Sequence, residues 1–288
     1  MNSLAHKIDF AVVLTVRNAN PNGDPLNGNR PRQNYDGLGE ISDVCIKRKI
    51  RNRLQDMGQA ILVQSDDKRV DGYRSIKDRV DGNEALQEFA KGKKQNNELF
   101  AKVASESWID VRSFGQVFAF SGSEVSIGIR GPVSIHTAVS LGSVDISSMQ
   151  ITKSVNSVTQ KDPDKKSSDT MGMKHRVDFG VYVFYGSINT QLAEKTGFAN
   201  EDAEKIREAL ITLFENDTSS ARPDGSIEVN KVYWWEHNSK IGQHSSAKVH
   251  RSLKIELKEG LNEAKSFEHY DISLNDLEGL KVQIYDGL

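Results

Sequence analysis

Between Arg17 and Asn34 the chain reads RNANPNGDPLNGNRPRQN. Asn18, Asn20, Asn22, Asn27, Asn29 and nearby Asn34 offer amide donors and acceptors, and Arg17, Arg30 and Arg32 add fixed positive charge. That mixture suits the sugar-phosphate backbone of a nucleic acid, where amides and guanidinium groups share the contacts. Asparagine also serves turns, because it tolerates left-handed backbone. The length of the segment and its arginines favour binding. A second candidate is the run from Lys47 to Arg53, with Lys47, Lys49 and Arg51 among five basic residues and no acid. On single-stranded RNA each neutralised phosphate adds roughly 0.7 to the salt slope. The ordinary reading of such a run is a solvated helix face. A third is GLGE at Gly37–Glu40, read as opening a helix whose free N–H groups could hold a phosphate. It lacks the full glycine pattern of a dinucleotide site, since Ser42 stands where the third glycine would be. The seven histidines show no metal-ligand spacing, and neither G-x-S-x-G nor a Walker A motif occurs. No catalytic residue, metal or cofactor is expected.

Positioning these residues requires a frame. Ile8–Arg17 has strand composition, and the proline- and glycine-rich loop after it is long enough to suggest function. A helix is expected over Ile41–Met57, its apolar stripe being Ile46, Ile50, Leu54 and Met57, with the basic residues off the stripe and facing solvent or a partner. Residues 65–110 read as a polar insertion with helices near Glu84–Lys91 and Asn97–Ser107. Ser113–Phe120 and Val125–Val139 read as strands, and 142–174 as a protruding hairpin with KDPDKKSSD at its tip. Strands are expected over Arg176–Ile188, where Val177, Phe179, Val181, Val183 and Tyr185 share a face, and over Ile227–Glu236, with a helix at about Asn200–Asn216 between them. Ser252–Leu257 and Lys281–Tyr285 are weaker strands. Without the insertions the order is βαββαβ, an α+β, RRM- or ferredoxin-like antiparallel sheet with two helices on one face. Its open face is a common platform for single-stranded RNA.

Composition bounds the rest. At 288 residues and 37% apolar content the chain is expected to fold as one core domain with large insertions. One cysteine, Cys45, fits a reducing compartment, and the first apolar run is too short to span a bilayer, so a cytoplasmic protein with no membrane partner is expected. Net charge is −2, but its distribution is uneven: from Glu256 to the end there are eight acids against three lysines. That is the pattern of a chain with one basic and one acidic face, and equally of an acidic tail that merely solvates the surface.

Taken together, DFAVVLTVRNANPNGDP (9–25), RSFGQVF (112–118), GIRGPVSIHTAVSL (128–141), ITKSVN (151–156) and MGMKHRVDFGVYVFYG (171–186) resemble the backbone subunit of CRISPR type I surveillance complexes. The branch they resemble is type I-C (Dvulg) of the Cas-seven family, within the RAMP superfamily. The resemblance covers most of the chain and is looser in the C-terminal third. It implies an RRM-like palm (1–64, 111–141 and 175–288), helical fingers (65–110) and a thumb hairpin (142–174). It also implies non-catalytic binding of a guide RNA (crRNA), helical stacking of copies along it, and presentation of the guide for pairing with target DNA. Other partners would be a Cas-five-type cap, a large subunit and small subunits. The guide-contacting residues it implies are Arg17, Asn18, Asn20 and Asn22, with Arg30 and Arg32 on the same loop. Lys47 and Arg51 are candidates by position. Met149, Lys153, Met171 and Lys174 border the thumb, where an apolar side chain could wedge between bases.

Two enzymatic readings stand beside this one. Related type III backbone proteins cleave RNA with a metal and a loop aspartate, and Asp24 and Asp36 lie in a comparable stretch. An aspartate before proline or glycine is also an ordinary turn residue. A guide-processing ribonuclease would want an acid-base residue and a glycine-rich stretch near the C-terminus, and the chain's end has no such stretch.

Overall fold

Every residue from Ile8 to Val16 is buried, so strand β1 (Ile8–Ala19) carries no alternation and must be covered on both faces. The computed structural model describes residues 3–90, 96–120, 126–155 and 171–288. After β1 come two short strands, β2 (Gly23–Asp24) and β3 (Arg30–Pro31), then β4 (Leu38–Ile41) and helix α1 (Asp43–Asp56). Helices α2 (Ile76–Asp81), α3 (Glu84–Ala90), α4 (Asn97–Ser107) and α5 (Ile109–Phe114) follow. Next are β5 (Gly115–Ala119), β6 (Ser126–Arg130), β7 (Val133–Ile135), β8 (Ala138–Ser143), β9 (Ile146–Thr152) and β10 (Met171–Ile188). The chain closes with α6 (Thr190–Thr196), α7 (Asn200–Ile211), β11 (Ile227–Glu236), α8 (Ser246–His250), β12 (Leu253–Leu257), β13 (Tyr270–Leu274) and β14 (Val282–Asp286).

The main sheet runs β14-β11-β1-β10-β8-β4, with β7 and β9 also pairing β10, and every pairing in it is antiparallel. Its first face carries Phe10, Val12, Leu14 and Val16 of β1 against Ile46, Ile50 and Leu54 of α1 and Ala203, Ile206 and Leu210 of α7. The expected helix stripes are the buried ones. Its second face carries Ala11, Val13, Val181, Val183 and Trp235, and it is not open. Val249 of α8, Leu253 of β12, Leu280 and the half-buried Ile272 and Leu274 of β13 cover it. The open platform expected from sequence is therefore filled by the C-terminal part of the chain. β13 went unforeseen, although Tyr270, Ile272 and Leu274 alternate with polar residues there. Val177 also departs from expectation, joining the first core while Phe179, Val181, Val183 and Tyr185 stay with the second.

A third core holds the insertion: Leu62, Val80, Leu86, Phe100, Trp108 and Phe118. Ile127 and Ile129 pack against it, so the β5–β6 hairpin, expected in the palm, leans on the helices instead. Residues 109–114 are helical; the strand expected from Ser113 starts only at Gly115, whose φ of 78° ends the helix. GLGE does not open a helix but forms most of β4. Gly39 is required there because a Cβ would lie 2.1 Å from the Tyr182 hydroxyl. Helix α1 begins after it, capped by Ser42 Oγ, which accepts from Cys45 N at 3.3 Å. Asp43 in its first turn makes that end unsuited to phosphate.

The layer over the second face is tied to β1 through a buried polar cluster. Asp9, fully buried, accepts from His237 Nε2 at 2.8 Å and pairs with Lys7 Nζ at 3.0 Å. His237 Nδ1 accepts from Gln243 N at 3.0 Å, so both ring nitrogens are committed. His250 of α8 stacks on Tyr185 and donates from Nε2 to Gly186 O at 3.1 Å. Burial pushes the Asp9 carboxyl up, but hydrogen bonds from His237, Ser246 and Lys7 more than offset this and hold it below its usual value. Burial pushes the His250 imidazole down, so it stays neutral in the fold and takes up a proton on unfolding. Stability from His250 is full above its unfolded value of about 6.5 and is lost as pH falls through it; that from Asp9 is lost below about 4. Denaturant midpoints measured from pH 8 to pH 3 will therefore fall in two stages. His250→Gln, which keeps a donor for Gly186, will remove the first.

Candidate nucleic-acid interface

The register of the two central strands decides where the asparagine loop lies. β1 pairs β10 through Arg17↔Phe179 and Ala19↔Val177, and beyond Val177 strand β10 pairs β9 instead. The chain thus leaves β1 at the root of the β9–β10 hairpin. Asn18 there is left-handed (φ 53°), as are Gly28 and Asn29 (φ 57° and 61°), so part of the asparagine content serves backbone geometry.

The loop's amides mostly face inward. Asn20 is buried, and its Nδ2 donates to Asn29 O at 2.7 Å. Asn22 Oδ1 accepts from both Ser42 N and Ser42 Oγ at 2.9 Å, stitching the loop to the start of α1. Asn34 Oδ1 accepts from Asp36 N and Leu38 N at 3.0 Å. Asp24 Oδ1 accepts from Leu26 N at 3.2 Å and pairs with Arg32 at 3.3 Å. Asn20 and Asn22 are thus framework of the loop, and Asn18 is exposed at its entry.

Arg17 and Arg30 reach out of the loop to other elements. Arg17 lies with its guanidinium 4.9 Å from the Phe179 ring centre and donates to Lys265 O. Arg30 Nη1 donates to Ser148 Oγ of β9 at 2.7 Å, and the same hydroxyl meets His175 Nδ1 of β10 at 2.8 Å. This contact joins loop to hairpin. Arg32 has a buried Nε without a hydrogen-bond partner among the described residues. Ser148 and His175 did not stand out in the sequence; the pairing His175↔Ser148 brings them together.

On the hairpin, Met149 pairs across from Lys174, and Met173 from Gln150. Since side chains alternate, Met149 and Lys174 lie on one face with Ile151, and Met171, Met173 and His175 on the other. All four of Met149, Ile151, Met171 and Met173 are exposed. Lys153 stands just past the end of β9, also exposed. The KDPDKKSSD tip lies outside the described residues. The loop–hairpin corner thus combines guanidinium groups, hydroxyls and exposed apolar side chains, the means to hold phosphates and to lie against bases.

Helix α1 departs from the expectation that its basic residues face solvent or a partner at Arg48, Lys49, Arg51 and Arg53, whereas Lys47 pairs within the helix. Lys47 pairs with Asp43 at 3.0 Å, and the buried Lys49 with Asp217 at 2.5 Å. Arg48 donates to Val63 O at 2.7 Å and Arg53 to Thr212 Oγ1 at 2.6 Å. Arg51 Nε donates to Asp110 Oδ2 at 3.0 Å and lies over Phe114; Asp110 also accepts from Leu62 N and Val63 N. Apart from Lys47, helix α1 spends its charge on holding the insertion, the segment leading into it and the residues after α7. Lys47 and Arg51 are not brought to the loop–hairpin corner by any contact among the described residues.

A family model described as CRISPR-associated protein Cas7 matches residues 6–275. The CRISPR-associated protein Cas7 of Haloferax volcanii is 26% identical over 231 residues, covering 75% of this chain and 66% of that protein. The chain therefore spans just under two thirds of that relative's length. Among solved structures, one chain of a CRISPR RNA-guided surveillance complex, pre-nicking, aligns with a TM-score of 0.49 at 15% identity, covering 80% of this chain and 78% of its own. Another, of a CRISPR RNA-guided surveillance complex, aligns with a TM-score of 0.44 at 15% identity, covering 80% and 68%.

The α1 contacts make a direct demand on stability. Arg51→Ala leaves the buried Asp110 carboxylate without its cation and will lower unfolding free energy by about 3 kcal/mol in urea denaturation.

Proposed function

The chain belongs to the Cas7 family of CRISPR-associated proteins, and from that premise we propose that it is the non-catalytic backbone subunit of a type I-C surveillance complex. Copies of it stack along one guide RNA, grip its sugar-phosphate backbone and leave its bases to pair with target DNA. The strand path β11-β1-β10-β8, with α1 and α7 on one face, supports reading the centre as an RRM-like palm. Residues 65–110 are then the fingers and 142–174 the thumb, reaching towards the next copy and towards the cap, large and small subunits. The observation that carries this reading is the Arg30–Ser148–His175 contact, which sets the asparagine-arginine loop against the thumb root. Arg17, Asn18, Arg30 and Arg32 from the loop, with Met149, Lys153, Met171 and Lys174 from the thumb, are the guide-contacting residues of choice. Asn20 and Asn22 hold the loop in shape for them. No helix among the described residues is long and apolar enough to cross a membrane.

The competing reading is metal-dependent RNA cleavage at Asp24 or Asp36. Asp24 is already engaged by Leu26 N and Arg32, which favours a turn-capping role. Incubation of the assembled complex with complementary RNA and magnesium will give no cleavage that depends on either residue. Products that vanish in Asp24→Ala or Asp36→Ala would make the chain an enzyme. For the binding reading, Arg30→Ala with Arg32→Ala will weaken guide binding to a similar degree on every sequence. Its log–log salt slope will drop by roughly 0.7 for each phosphate that is no longer neutralised. A deficit confined to particular sequences would contradict backbone gripping.

A further inference from the structure

Leu26 and Tyr35 are 98% and 110% exposed, the highest values of any large apolar residues among those described. Both stand on the loop between β1 and α1, and neither is on a slack stretch. Asp24 caps the 3-10 turn Pro25–Asn27 that carries Leu26. Asn34 brackets Tyr35: its Oδ1 accepts from Asp36 N and Leu38 N, its N donates to Leu38 O at 2.9 Å, and its O accepts from Gly37 N at 3.1 Å. The same loop forms a cleft lined by Asn27, Arg30, Arg32, Gln33 and Asn34, the neighbour of Tyr35, together with Asp24 and Glu40. Arg32 offsets the charge of Asp24.

A fully solvated tyrosine ring held on a stiff turn presents a flat face at little entropic cost on binding. The residues separating it from Leu26 are mostly polar, so the loop offers no continuous apolar patch of the kind a protein partner buries. A single ring face on a loop that also carries guanidinium groups and amides fits an unpaired nucleobase whose phosphate the arginines take. We propose that Tyr35 is a base-stacking platform for one nucleotide of single-stranded RNA per copy. This rests on the RNA-binding reading above and adds to it a contact with a base.

The test uses the full-length chain and two single-stranded RNA oligonucleotides of equal length, one of mixed sequence and one abasic throughout. Binding is followed by anisotropy. Tyr35→Ala will weaken binding to the mixed-sequence RNA roughly ten-fold, and Tyr35→Phe will restore it. On the abasic RNA, Tyr35→Ala and the unaltered chain will bind alike, because the phosphates remain. Equal binding of Tyr35→Ala and the unaltered chain to the mixed-sequence RNA overturns the proposal while leaving the backbone-gripping reading intact. A deficit that persists on abasic RNA also overturns it, as does one that appears only as reduced self-association in size-exclusion chromatography. An unaltered chain that binds neither RNA overturns both readings.

Discussion

The pairing of β1 with β10, covered on both faces, is the constraint on which the rest depends. Apolar side chains point both ways from β1, so helices must lie on one side and a second layer on the other. The pair also stops at a set place. Past Ala19↔Val177, β1 gives way to the loop while β10 continues into the hairpin with β9. Loop and hairpin are therefore neighbours because one register ends there, and Arg30 finds Ser148 without any long connection having to be ordered.

The same residue types carry opposite duties in this fold, and the location of their partners decides which. Asn20, Asn22 and Asn34 turn their amides onto backbone groups and keep a loop without extended regular structure in one shape. Asn20 alone of the three is buried, and its Nδ2 bond offsets part of the cost of burying an amide whose Oδ1 has no partner among the described residues. Arg17 and Arg30, on the rim, each donate a single hydrogen bond that leaves donors over. Lys49 and Arg51 are held by carboxylates on other elements, and their charge is largely neutralised inside the molecule.

Much of the frame was legible because its signals are local. The unbroken apolar run of β1, the stripes of α1 and α7 and the apolar content of β11 each lie within one window of sequence. α7 stops at Ile211 rather than Asn216, since Thr212 caps it and Asn216 turns left-handed. What escaped depends on distant partners. Lys49 meets Asp217 and Arg51 meets Asp110, so a basic run that looks solvated turns inward. The strand at GLGE is hidden by two glycines, one present only to clear Tyr182. The layer over the second face comes from a stretch whose many acids masked the alternation of Tyr270, Ile272 and Leu274. Of the candidate site, the arginines were visible as types; Ser148 and His175 became partners only through strand register.

β10 is one uninterrupted strand of 18 residues, some 60 Å of chain if fully extended. Its C-terminal part is clamped between two layers and its N-terminal part projects as one arm of the hairpin. There is no hinge between them, so the projecting arm behaves as a cantilever whose direction is inherited from the twist of the core. Every molecule of this protein then aims that arm at the same angle. The direction of that arm is thus set by the fold itself, through a strand it shares with the core, before any ligand is present.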